Sequence, residues 1–534
     1  MITNPILPGF NPDPSICRVE DDYYIATSTF EWYPGVQIHH SKDLVNWELI
    51  TRPLSRASQL DMRGNPDSCG VWAPCLSYSD GKFWLVYTDV KRLDGNFKDA
   101  HNYIVTSTNI VGDWSDPIYC NSSGFDPTLF HDTDGKKWFA NMQWRHTTNS
   151  IGGNPTHPAF DGILLQEYDP VNCKLVGKIR NIFAGTSHGL VEGPHFFKRN
   201  GYYYLTTAEG GTGYDHTVTM ARSRDIAGPY EVHPNMYLMT SKDSPDAPIQ
   251  RTGHGQMVET PDGNVYHTHL MGRPLPNIKA RRCVLGRETG IQKCIWKDDD
   301  WLYLENGGVV PEVDVPSPIH SVKTVQVVES STMFDGTELP MEFQWLRTPD
   351  PHRIFELTGN ALRLIGRESI GSWFEQSLVA RRQQHFCFQA QTKLAFDPET
   401  YQQAAGLTLY YNRHKFHALV VTHEPNIGRV LTIHSCEADW PEGALSFPLE
   451  APVVLDSDTV ELRAEVTDAK LQFYYRMGRD WTKIGRVLDA SLISDDAGRG
   501  EHASFTGAFI GMFAFDTSGR AKTADFEYFN YISI

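Results

Sequence analysis

One short pattern recurs five times along the N-terminal part of this chain, and it restricts the folds the chain can reach. Each copy is an apolar run, a tight turn and an aromatic run. The first passes from Asn11-Pro12-Asp13-Pro14-Ser15 through Asp21-Asp22 to Tyr23-Tyr24-Ile25. The second passes from Trp72-Ala73-Pro74 through Asp80-Gly81 to Phe83-Trp84-Leu85, the third from Asp126-Pro127-Thr128 through Asp134-Gly135 to Lys137-Trp138-Phe139. In the fourth, Glu192-Gly193-Pro194-His195 leads through Asn200-Gly201 to Tyr202-Tyr203-Tyr204. In the fifth, His254-Gly255-Gln256-Met257 leads through Asp262-Gly263 to Val265-Tyr266-His267. Asp-Gly or Asn-Gly between such runs is the strongest short-range signal for a β-hairpin. A third strand follows each hairpin, and in four of the copies it ends in a small polar or charged segment such as Ser41-Lys42-Asp43 or Thr106-Ser107-Thr108.

The copies begin at residues 13, 72, 126, 192 and 254. A period of roughly 55–65 residues is enough for a four-stranded sheet with its loops. Five such sheets in succession predict a five-bladed β-propeller over residues 1–315. A parallel α/β fold would need helical periodicity between the strands, and none is sustained here. The Pro-rich stretch 309–318 reads as a linker or a crossing strand. From residue 322 to 534 the texture changes to period-2 alternation, as in Phe386-Cys387-Phe388-Gln389-Ala390 and Val460-Glu461-Leu462-Arg463-Ala464. That pattern predicts an antiparallel β-sandwich of concanavalin or lectin type. The expected class is therefore all-β with two domains, as a chain of 534 residues suggests.

Charge and composition narrow the function. A formal charge of −17 argues against nucleic acid or an anionic membrane as partner, because both reward basic patches. No run of about 20 apolar residues is present to span a bilayer. The nine cysteines are scattered and form no C-x-x-C pair, which suits free thiols in a reducing cytoplasm better than a disulfide or zinc framework. Nothing in Met1-Ile2-Thr3-Asn4-Pro5 resembles a secretory leader. Gly210-Gly211-Thr212-Gly213 lacks the Lys-Ser/Thr that completes a phosphate loop and reads as a plain loop.

In a propeller the innermost strands run side by side around one axis, so the residues heading them meet at one end of a channel. Those residues are Asp13, Trp72, Asp126, Glu192 and His254. Three acids among aromatic rings are the tools of glycoside hydrolysis, in which one carboxyl protonates the leaving oxygen and another activates water or attacks. Glu192, with its longer arm and apolar neighbours, suits the acid. Asp13, fixed between prolines, suits the base, and Asp126 would orient Glu192 and keep it protonated. Trp72 suits a stacking wall and Phe30 a cap on the pocket. His254 reads equally as a core histidine, a ligand of a hydrated cation, or a partner of the acids.

These motifs resemble family 43 of the glycoside hydrolases, and specifically its two-domain β-xylosidases. The resemblance rests on Asn11-Pro12-Asp13-Pro14, Gly124-Phe125-Asp126-Pro127 and Val191-Glu192-Gly193-Pro194. It extends through Trp72-Ala73-Pro74, Gly253-His254-Gly255-Gln256 and Leu285-Gly286-Arg287-Glu288-Thr289 to Phe505-Thr506-Gly507-Ala508-Phe509. It implies Asp13 as base, Asp126 as modulator, Glu192 as acid, and Arg287 binding hydroxyls of the terminal sugar beside Trp72 and Phe30. It also implies an inverting, single-displacement mechanism on xylo-oligosaccharides, and a homo-oligomer, dimer or tetramer. A sandwich loop would close the pocket with Phe505 or Phe509. No cofactor is implied beyond a calcium ion near His254 in the channel.

Three other readings compete. An α-L-arabinofuranosidase could present the same pocket to a similar set of hydroxyls. A retaining, sucrose-cleaving propeller would begin with an Asn-Asp-Pro-Asn-like motif, whereas here the acid sits in Pro-Asp-Pro. A non-catalytic sugar-binding propeller would have no use for three acids in register.

Overall fold

The computed structural model describes residues 1–93, 97–147, 159–319, 329–438, 444–498 and 504–534. Five antiparallel meanders follow one another in chain order and form the blades. The innermost strands of the first four are Ser15–Val19, Gly70–Ser79, Thr128–His131 and Glu192–Arg199. In the fifth blade the inner strand is split into Gln250–Gly253 and Met257–Glu259, both paired with Val265–Gly272. The hairpin turns adopt the backbone their residues favour. Asp80 and Gly81 have φ of 55° and 73°, and Asn200 and Gly201 have 49° and 74°, the double left-handed geometry that matches strand twist.

The ring is sealed by its own N-terminus. Ile2–Thr3 pairs antiparallel with Asp314–Val315, so the Pro-rich stretch is a crossing strand that returns to the start of the chain. Among the described residues there is no α-helix, only the short 3₁₀ turns Pro351–Arg353 and Ala490–Leu492. Residue 322, the expected start of the second domain, lies outside the described residues. From residue 329 onward two eight-stranded sheets form the sandwich.

The alternation expected of the sandwich strands holds in one sheet and fails in the other. Thr459–Thr467 alternates between buried and half-buried positions. Gln403–Asn412 is buried at every residue, because its sheet is covered twice. Ala405, Leu407 and Leu409 face the core between the two sheets, while Ala404 and Tyr410 join a cluster containing Phe30, Trp32, Trp72 and Phe125 of the propeller. The same sheet takes its edge strand from the first blade: Trp32–Tyr33 pairs with Trp345 and Leu346. Phe509 stacks on Trp32 with ring centroids 3.7 Å apart. Arg347, 1% exposed, donates to Asp67 Oδ1 and to Asn65 O, each at 2.7 Å. The two domains thus share an apolar core and a buried ion pair.

Candidate active site

A kink in the backbone recurs at the head of each inner strand. Asp13 (φ 56°), Ala73 (27°), Asp126 (55°), Gly193 (59°) and His254 (29°) all lie in the left-handed region. A non-glycine residue there costs about 1–2 kcal/mol, and such strain is held where function uses it. The kink also corrects the expected register. Ser28 N bonds Pro12 O and Met142 N bonds Phe125 O, positions matched in the other blades by Trp72, paired with Thr88, and by Glu192, paired with Ala208. Asp13 and Asp126 therefore stand one residue later than Trp72 and Glu192. The left-handed turn at each aspartate brings its side chain to the same cavity all the same.

That cavity, about 310 Å³, lies at one end of the channel, at the small end of the usual range for ligand sites. It is lined by all eight residues singled out from the sequence: Asp13, Phe30, Trp72, Asp126, Glu192, His254, Arg287 and Phe505. Asp13 is positioned on both oxygens. Ser28 Oγ donates to Oδ2 at 2.7 Å and Arg287 Nη1 to Oδ1 at 3.1 Å. His254 Nδ1 stands 3.6 Å from Asp13 Oδ1, too far for a hydrogen bond. Asp126 Oδ2 accepts the Gly193 N–H at 3.1 Å, which ties it to the peptide following Glu192.

The electrostatics separate the acids. Burial pushes the Glu192 carboxyl up to about 8, with the charge of Asp13 adding and Arg287 and Lys98 opposing. Asp126 is likewise raised, first by burial and then by Glu192 and Asp13, against the Gly193 N–H. Asp13 adds its charge to the rise at Glu192, and Glu192 and Asp126 repel one another across the same cavity. Burial lowers His254, with Asp13 opposing and Arg287 adding, which disfavours its imidazolium.

Aromatic rings form the opposite wall. Trp72 donates its Nε1–H to Ser68 O at 2.8 Å, and its ring lies 5.9 Å from Phe30 and 5.5 Å from Phe505. Arg287 spans the Phe30 and Phe505 rings at 5.1 and 5.6 Å. Phe505 is the ring that reaches the pocket, while Phe509 is fully buried against Trp32 and Phe10. Sequence reasoning missed Lys98, Phe125, Trp144, Phe160, Leu190, Thr212 and His216, which also line the cavity. Lys98 Nζ sits 4.3 Å over the Trp144 ring. Thr212 comes from the loop read as plain; it carries no phosphate motif, yet its Oγ1 accepts from Arg287 at 3.1 Å.

Beside His254 stands the His195 ring, with centroids 5.8 Å apart, and His195 Nδ1 and His267 Nε2 have no protein partner; a calcium ion there would draw its six to eight hard oxygen ligands from water. Among the described residues no group of three or more His, Cys, Asp or Glu is placed to hold a metal ion.

Residues 2–302 match the family model of the Glycosyl hydrolases family 43. Residues 331–532 match that of the Beta xylosidase C-terminal Concanavalin A-like domain. A xylosidase/arabinosidase 43B of Humicola insolens is 58% identical over 534 residues, covering 99% of this chain and 97% of its own. A beta-xylosidase of Bacillus subtilis (strain 168) is 50% identical, covering 99% of each chain. The crystal structure of a xylan beta-1,4-xylosidase from Bacillus halodurans C-125 matches the fold with a TM-score of 0.94 at 48% identity, over 100% of both chains. With three carboxyl groups, an arginine and a ring wall in one cavity, this chain belongs to family 43 of the glycosyl hydrolases.

Proposed function

We propose that the enzyme is an exo-acting, inverting β-xylosidase that releases D-xylose from the non-reducing ends of β-1,4-xylo-oligosaccharides. One observation carries the reading: a single cavity, walled by Phe505 of the sandwich, holds Asp13 bonded by Ser28 and Arg287 and a desolvated Glu192. Glu192, protonated at neutral pH, gives its proton to the glycosidic oxygen. Asp13, kept as an acceptor by Ser28 and Arg287, takes a proton from the attacking water. Asp126 holds the Gly193 peptide and with it the bearing of Glu192. Trp72 and Phe30 offer apolar faces to a sugar ring, and Arg287 offers its remaining N–H to a hydroxyl. The printed names of the relatives support xylose as the sugar.

Inversion would leave room for water between the two catalytic carboxyls, a separation of about 6.5–9.5 Å. Proton NMR of the first sugar released should show α-xylose; β-xylose would overturn the mechanism. A second reading, α-L-arabinofuranosidase as a partner activity, is favoured by the double name of the Humicola insolens relative. Rates on the nitrophenyl xyloside and arabinofuranoside separate the two, and a faster arabinoside reverses the assignment. The nine cysteines, all free, support action in a reducing cytoplasm, and a homo-oligomer is the proposed assembly.

A further inference from the structure

Phe505 is more than a ring at the pocket. Its own N–H and C=O are both taken by propeller residues, and the N–H of the next residue by a sandwich residue. The Phe505 N–H donates to Ser68 Oγ at 3.1 Å. Its carbonyl accepts from Arg287 Nε at 3.2 Å and Nη2 at 3.0 Å. The next peptide N–H, of Thr506, donates to the Tyr411 hydroxyl at 2.9 Å. Tyr411, fully buried, donates in turn to Asp495 Oδ1 at 2.7 Å. The other oxygen of Asp495 is paired with Arg251 of the fifth blade at 3.0 Å, and both side chains are buried. Lys415 Nζ, just past the same strand, bonds Ser494 O at 2.9 Å and Ser504 Oγ at 3.1 Å.

A guanidinium has five N–H groups. Arg287 spends four of these directions on protein acceptors: two on the Phe505 carbonyl, one on Asp13 and one on Thr212. The plane of the guanidinium, and so the direction left for a ligand, is set by where that carbonyl stands. The carbonyl is set by the Thr506 peptide, which Tyr411 holds. Burial and Asp495 push the Tyr411 phenol well above its ordinary range, so the hydroxyl keeps its proton and can donate and accept at once.

We propose that Tyr411, anchored by the Asp495–Arg251 pair across the domain interface, is a positioning residue that fixes the Phe505 carbonyl and thereby orients Arg287 toward Asp13 and the bound sugar. This relay rests on the reading of the cavity as the xylose site. The sandwich then takes part in catalysis through its main chain as well as by closing the pocket.

Full-length Tyr411→Phe loses only the hydroxyl. The relay predicts a KM for xylobiose raised about tenfold, with an equal rise in the Kd for xylose read from Trp fluorescence and a kcat changed less. A purely structural role would lower Tm and leave KM and Kd in place. Asp495→Ala should match Tyr411→Phe, and Asp495→Asn, which keeps an acceptor for the hydroxyl, should remain within threefold of wild type. That contrast carries the test if Tyr411→Phe fails to fold. Kd and KM within twofold of wild type in both Tyr411→Phe and Asp495→Ala would overturn the relay alone. A wild-type protein that neither binds nor releases xylose would overturn the site reading, and the relay with it.

Discussion

Asp13 and Glu192 line one cavity, and on the proposed reading their different surroundings suit them to opposite duties. Asp13 receives two donors, Ser28 and Arg287, and so is held as an acceptor. Glu192 is desolvated, with its pKa raised to about 8. General acid catalysis contributes about 10²–10⁴-fold, so Glu192→Gln should cut turnover of xylobiose by about 10³-fold while xylose still binds, as calorimetric titration would show. In the wild type kcat/KM should fall as pH rises through about 8, where the donor loses its proton. The same shift governs stability. The folded state holds this proton more tightly than the unfolded chain, so the stabilisation is complete below the ordinary carboxylate pKa, about 4.5, and is lost as pH rises through about 8. Glu192→Gln has no proton to lose. Its Tm should decline less between pH 5 and 8 than that of the wild type, and an equal decline would contradict a desolvated Glu192.

Strands and turns carry the next level of design. The turn at Asp80-Gly81 and the kink at Gly193 both need left-handed backbone, but they differ in what surrounds them. A Cβ on Gly81 would meet nothing within 4 Å. Gly81→Val should therefore cost about 1–2 kcal/mol of backbone strain, lowering Tm with kcat/KM unchanged. A Cβ on Gly193 would stand 2.9 Å from His254 Cδ2, beside Glu192. Gly193→Ala should lower kcat by about 10²-fold, the scale of an ångström-sized misplacement at a reacting centre. Equal kinetic effects in the two variants would refute this division. The same contrast explains what could be read in the sequence. Asp-Gly and Asn-Gly turns announce hairpins, and four of them, in series with the Asp21-Asp22 turn of the first copy, located the acids, Trp72 and His254. Lys98 lies just before the strand Asp99–Ser107, while Trp144 ends Lys137–Trp144 and Phe160 begins Phe160–Asp169; all three lie beyond the repeated stretch, so nothing in the pattern pointed them at the cavity. Trp32–Tyr33, two residues long, could not be told from a loop, because a strand so short shows no alternation.

At the scale of the whole molecule the shared core predicts that the two domains unfold together. Phe30, Trp72 and Phe125 share a core cluster with Leu378, Phe509 and Phe513, and Arg347 buries its charge against Asp67. Removing one partner of such a buried pair costs about 3–5 kcal/mol. Scanning calorimetry should give a single cooperative transition, and two resolved transitions would contradict a common core. The edge strand Trp32–Tyr33 has a further consequence, in time instead of space. A ribosome releases the first blade early, but Gln344 Nε2 must reach back across 310 residues to bond Pro34 O, and Thr3 Oγ1 across 311 to bond Asp314. The nascent chain carries open strand edges through most of its synthesis, and contacts of such sequence separation form slowly. Phe505 comes later in the chain than every other residue of the cavity wall, so it is made after all of them, and a chain that stops short of it lacks part of the pocket.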